Sequence, residues 1–163
     1  MKMKFKHIQN WSLLLLVVLA ISACKPDELV LDPAPGKLEG IHGTFSLSEV
    51  IQVDPLILTG DNTLDVTSAF KTGATPTITF DSDAFTFTFV AGDGPDYLGA
   101  GGTWAFDNND YPTQINMDNG QGQYVLKLRR TIRPQDEALE VDLERGCGGS
   151  PTIVYQFKFA RNQ

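Results

Sequence analysis

Residues 85–89 read Phe-Thr-Phe-Thr-Phe, three rings interleaved with two hydroxyl side chains. Successive side chains of a strand point to opposite faces, so this order predicts a half-buried strand with its rings on one face and its hydroxyls on the other. Leu139-Glu140-Val141-Asp142-Leu143-Glu144 alternates more cleanly still, and Ile153, Tyr155, Phe157 and Phe159 share one side of a last strand, opposite Gln156 and Lys158. The governing period is therefore two, and helical spacing is absent from these stretches. Weaker runs of the same kind cover Phe45 to Val53, Pro76 to Phe80, Gly102 to Phe106, Thr113 to Met117 and Tyr124 to Ile132, which brings the expectation to about eight strands.

The segments between them are rich in residues that turn the chain for stated reasons. Asp and Asn cap their own backbone and Gly supplies positive φ, and Asp81-Ser82-Asp83, Asp107-Asn108-Asn109-Asp110, Asp118-Asn119-Gly120 and Pro134-Gln135-Asp136 are of this type. Connections this short join antiparallel neighbours. Leu64 to Lys71 breaks the pattern: it reads as a helical turn with Asp65 or Thr67 near its start, placed to cover one end of the fold. The fold class is all-β. About eight antiparallel strands close as an up-and-down barrel or fold as a two-sheet β-sandwich, and spacing alone leaves both open.

The amino-terminal end has a different character. Lys2, Lys4 and Lys6 precede an apolar run from Leu13 to Ile21, which is followed by small residues up to Cys24, the three-part layout of an export signal. The run is far shorter than the ~20 residues that cross a bilayer. From Lys25 to Glu39 the chain (KPDELVLDPAPGKLE) has three Pro and no sustained period. That composition predicts a tether able to span roughly 45 Å at ~3.1 Å per residue. The expected organisation is residues 1–23 as signal, 24–39 as modified Cys and tether, and 40–163 as the β domain.

Leu19-Ala20-Ile21-Ser22-Ala23-Cys24 resembles the bacterial lipoprotein signal, or lipobox. The resemblance implies cleavage before Cys24 and diacylglycerol on its thiol, and two or more acyl chains give stable membrane anchoring. Lys25-Pro26-Asp27-Glu28 is similar to the export tag of surface lipoproteins in the Bacteroidetes, which implies an outer-membrane, cell-surface position. Gly40, Gly43 and Phe45, Leu64 to Thr67, Ile78 to Phe80, Gly102 to Asp107 and Tyr111 to Ile115 together resemble the uncharacterised lipocalin-like lipoproteins of that group. This likeness favours the barrel over the sandwich and brings no known activity with it.

Composition narrows the partners. The chain carries 13 basic and 20 acidic side chains, for a formal charge of −7, and residues 1–23 hold three of the Lys and none of the acids. So acidic a surface repels phosphate backbones, and nucleic acid is not an expected partner.

Past residue 23 there remain one His, His42, and one Cys other than Cys24, Cys147. A Ser or Cys nucleophile needs a base beside it, so no catalytic residues, no cofactor and no enzymatic activity are expected. Cys147 lies in a Gly-rich connection and is expected to be a small packing group, the alternative being a free thiol able to pair between molecules. The overlapping Ser68-x-x-Lys71 and Lys71-Thr72-Gly73 imitate motifs that stand far apart in penicillin-binding enzymes. The acidic turns lack a complete calcium-ligand spacing, and no metal site is expected. Aromatic residues remain as candidates for recognition: Trp104, Tyr97 and Tyr111 would form a small-molecule or glycan site if they met at one barrel mouth. Such a site needs a cavity above ~300 Å³. The alternative is an assembly lipoprotein whose barrel is filled by its own Phe side chains and which meets an envelope protein partner through its outer surface.

Overall fold

In a computed structural model, residues 36–147 and 150–162 are described. They form α1 (Lys37–Ile41), β1 (Gly43–Val53), β2 (Thr63–Asp65), α2 (Thr67–Phe70), β3 (Thr77–Asp81), β4 (Thr86–Val90), β5 (Gly101–Phe106), β6 (Gln114–Asp118), β7 (Gln123–Leu128), β8 (Ala138–Cys147) and β9 (Ser150–Arg161). Every pairing is antiparallel, neighbours follow chain order from β3 to β9, and β9 returns to pair with β1. That pairing, from Phe45↔Arg161 to Val53↔Val154, closes eight strands into a barrel and rules out the sandwich. A closed sheet has no free edge along its seam.

β1 is long enough to serve two partners on its other side. Gly43 to Ser46 pair with β3, and Ile51 to Val53 pair with β2, the extra ninth strand. The segment holding β2 and α2 thus combines a short strand with the expected helical turn, and Asp65 accepts a hydrogen bond from the Thr67 amide at 2.9 Å at the helix start. Because neighbours are antiparallel, the connections sort to two ends. The α1 end gathers the β3–β4, β5–β6 and β7–β8 connections, and the α2 end gathers those between β4 and β5, β6 and β7, and β8 and β9.

The alternating residues of each strand meet inside. Phe45, Phe80, Phe87, Phe157 and Phe159 are fully buried, together with Ile78, Ile115, Met117 and Leu126. Burying each such side chain stabilises the fold by roughly 1.5–3 kcal/mol. The opposite face is polar. Lys127 of β7 with Glu144 (2.6 Å), and Arg129 and Arg130 just after β7 with Asp142 (3.5 Å) and Glu140 (3.8 Å), pair with β8 on the outside.

Three expectations are corrected by the packing. Phe85 is not in the strand: Asp81 accepts the amides of Asp83 (2.9 Å) and Ala84 (3.0 Å), wrapping a turn that leaves Phe85 at φ 53° and largely exposed. The strand expected over Tyr124 to Ile132 ends at Leu128, because Ile132 turns in to pack beneath α1. A Cβ on Gly40 would stand 2.8 Å from the Ile132 side chain, so α1 needs glycine there. Residues before the expected start at Gly40 already belong to the fold, since α1 opens at Lys37 and Leu38 packs against the core. Gly102 answers to a close approach as well: a side chain on it would run into the Asp118 carbonyl of the paired strand.

Candidate functional site

Trp104 lies on β5 facing inward and is 3% exposed. Its ring packs against Phe80 (5.6 Å, edge-on), Phe106 (5.2 Å) and Phe85 (5.5 Å). The indole N–H donates to the carbonyls of Asp81 (3.2 Å) and Thr86 (3.0 Å). The polar capacity of this Trp is thus taken up by the β3–β4 hairpin, and its apolar faces by that hairpin and Phe106 of its own strand.

Tyr97 belongs to the connection between β4 and β5, at the α2 end. Its ring stacks on Phe157 (4.8 Å, 13°) and touches Phe89 (4.9 Å) and Phe70 of α2 (5.5 Å). Phe70 in turn meets Tyr155 (5.7 Å) and Phe157 (5.6 Å), so α2 and Tyr97 together cover that end of the barrel with rings. The Tyr97 hydroxyl is buried and finds no hydrogen-bond partner among the described residues. Burial pushes its phenol well above the usual value, and the nearby Asp96 carboxylate adds to the shift. A buried hydroxyl without a partner costs about 1–3 kcal/mol. Tyr97→Phe should therefore raise the unfolding free energy by a comparable amount, read as a higher midpoint in a urea titration; an unchanged or lower midpoint would mean the hydroxyl is satisfied after all.

Tyr111 is 81% exposed in the β5–β6 connection, at the α1 end. The three aromatic candidates therefore occupy the interior, the α2 end and the surface of the α1 end, and do not line one mouth. An apolar depression of about 300 Å³ does exist. It lies along β5, β6 and β7, lined by the outward-facing Thr103, Ala105, Asn116 and Val125 together with Trp104, Met117 and Tyr124, and neither Tyr97 nor Tyr111 reaches it.

The remaining polar candidates have local duties. Asp107 accepts hydrogen bonds from the Thr113 hydroxyl and from the amides of Thr113 (2.9 Å) and Gln114 (3.0 Å), closing the β5–β6 turn. These bonds, the hydroxyl's first, hold its carboxyl down to about 2. An unfolded Asp titrates near ~3.9, so the contribution of Asp107 is present above that pH and is lost as pH falls towards the folded value. Carboxyl chemical shifts followed by NMR should show Asp107 still ionised at pH 3; titration near the unfolded value would show that the turn does not hold.

Asp96 accepts the Gly99 amide (2.7 Å), and Asn108 accepts those of Asp110 (2.8 Å) and Tyr111 (3.0 Å). One contact was not legible in the sequence: His42 Nδ1 stands 3.1 Å from the Ser82 hydroxyl and accepts the Ser82 amide at 3.3 Å. These residues are 40 positions apart, and only the β1–β3 register brings them together. Asp81, adjacent in sequence, spends its carboxylate on the turn amides rather than on the imidazole. The pair fastens the α1 end at the surface. Cys24 and residues 25–35 lie outside the described residues, as does the side chain of Cys147.

Compared with known proteins, the chain matches the model of a domain of unknown function, DUF5004, over residues 22–160. No curated protein matches it, and no solved structure does.

Proposed function

Because the chain belongs to the DUF5004 family, a family that fixes a domain and no activity, we propose a function from its own residues: a lipid-anchored envelope lipoprotein, non-enzymatic, that acts through protein contacts on the outside of a filled barrel. The observation that carries this reading is where apolar surface is left over. Trp104 is taken up by the interior and the Tyr97 ring by the packing of the α2 end, while the β1–β2 hairpin exposes Leu56 (67%), Leu58 (91%) and Leu64 (60%) to solvent. Water-facing apolar residues concentrated on one hairpin are typical of a surface that meets a partner. This hairpin tip is at the α2 end, whereas the chain enters the barrel at α1, so it stands at the end remote from residue 37.

The anchor is part of the same proposal. The sequence from Leu19 to Cys24 supports diacylglycerol on Cys24, and Lys25 to Glu28 support an outer-membrane, cell-surface location. Intact mass of protein taken from its host should equal the chain from Cys24 plus at least two acyl chains, and Cys24→Ser should move it out of the membrane fraction. A mature mass without lipid would overturn the anchor.

The contact surface is tested with a photo-crosslinking side chain at position 58 of the full chain in living cells. One discrete adduct is expected, lost on Leu64→Asp and absent when the crosslinker stands at Val125 on the opposite wall. Exposed substitutions of this kind change stability by only about ±0.5 kcal/mol, so loss of the adduct with an unchanged melting temperature reports contact. The same adducts from positions 58 and 125 would refute the hairpin as the surface.

A further inference from the structure

The rings around Tyr97 come from three separate parts of the chain: Phe70 from α2, Phe89 from β4 and Phe157 from β9. The space they enclose has the width of one aromatic ring and is apolar on the sides they form. Tyr97 fills it poorly in chemical terms, since the phenol carries into that space a hydroxyl with no partner among the described residues. A ring without the hydroxyl would make the same contacts and escape that penalty.

The connection that carries Tyr97 has fastenings besides the ring. Asp96 accepts the Gly99 amide (2.7 Å), and the Leu98 carbonyl accepts from the Asn119 side chain (2.9 Å). Leu98 is itself fully buried, and the Tyr97 carbonyl accepts from Arg145 of β8 (3.3 Å). Every one of these bonds is made by backbone or by neighbouring residues, so the Tyr97 side chain can rotate out while its backbone stays held. Rotation would expose the ring and release the hydroxyl to water, leaving an apolar recess lined by Phe70, Phe89 and Phe157, and apolar cavities bind benzene-sized molecules.

We propose that the box formed by Phe70, Phe89 and Phe157 is a binding site for a neutral, planar, apolar ring, and that Tyr97 occupies it as a displaceable stand-in. The site is independent of the lipid anchor and of the exposed hairpin, and it adds a small-molecule function to a barrel that is filled at rest. Its ligand lacks a polar group on the inserted edge, because the box offers no partner for one among the described residues.

The test uses the mature chain, residues 24–163, with Cys24→Ser so that no lipid competes for the probe, and fluorobenzene as that probe. Fluorine and proton NMR should show saturable one-to-one binding to the otherwise unaltered protein. The Tyr97 ring signals should leave the positions that stacking on Phe157 imposes and approach those of a solvated Tyr. Tyr97→Ala should bind at least ten-fold more tightly, because no side chain has to leave. Tyr97→Phe, whose resident ring is better matched to the box, should bind at least three-fold more weakly. Should Tyr97→Ala fail to fold, the unaltered chain and Tyr97→Phe still decide the matter. Absence of saturable binding, binding that leaves the Tyr97 signals in place, or equal affinity in Tyr97→Phe would each overturn the proposal. None of these results bears on whether position 58 crosslinks to a partner, so the two proposals fail separately.

Discussion

Trp104→Ala is expected to lower the unfolding free energy by about 3–5 kcal/mol, the range for deleting a buried Phe or Trp side chain. Three aromatic contacts go with the indole, at 5.6 Å to Phe80, 5.2 Å to Phe106 and 5.5 Å to Phe85. The carbonyls of Asp81 and Thr86 also lose the donor that ties the two strands of one hairpin to the neighbouring wall. Trp104→Phe separates the two contributions. It retains most of the packing and removes the donor, so its cost should be about 1–3 kcal/mol. Urea titrations followed by far-ultraviolet circular dichroism measure both, with the signal independent of the substituted Trp. A loss below 1 kcal/mol for Trp104→Ala would mean that the ring is not part of the core.

Arg161→Ala should open the α1 end, at a cost of about 3 kcal/mol or more. The guanidinium donates to the carbonyls of Asp136 (3.1 Å), His42 (2.9 Å) and Gly40, and it lies 4.6 Å above the Phe45 ring. One side chain at the end of β9 thereby fastens α1, the start of β1 and the β7–β8 connection. Hydrogen bonds to a charged donor contribute about 1.5–3 kcal/mol each, and bonds sharing one group do not add fully. Arg161→Lys should recover little, since a single ammonium cannot reproduce the planar fork that reaches several carbonyls at once. Hydrogen exchange locates the effect: amides of α1 and of residues 129–137 should lose protection first, with β4 to β6 following only as global stability falls. Uniform loss across the barrel would place Arg161 in the general core rather than at a local clasp.

Much of the wall was readable before any coordinates. The alternation in Leu139 to Glu144 and in Ile153 to Phe159 depends only on one buried and one solvated face, and β8 and β9 carry it as expected. Asp65 ahead of Thr67 likewise marks a helix start through a local hydrogen bond. Phe85 escaped because its place is decided by Asp81, four residues back, whose carboxylate bends the chain before the ring can join the strand. Closure rests on β1 meeting β9, and no local pattern distinguishes a strand that pairs around the ring from one that pairs across a sandwich; the family resemblance favours the barrel, and the pairing bears it out. For the same reason Tyr97, Trp104 and Tyr111 could be nominated by type but not by place: an up-and-down order sends successive connections to opposite ends, and Tyr97 and Tyr111 sit in successive connections. The box around Tyr97 draws on residues 70, 89 and 157, a separation that only the closed fold abolishes.

The pairing of β1 with β9 also sets a clock on the nascent chain. Arg161 bonds to His42 across 119 positions, so the contact that completes the ring joins nearly the first described residue to nearly the last. Contacts so distant in sequence form late and slowly, because loop entropy must be overcome before they reward the chain. Until β9 has been made, β1 and β8 both present open edges, and a polypeptide cut short there would offer two templates for aggregation. The chain escapes this only when β9 pairs with β1, so the barrel stays open until residues 150–161 are in place.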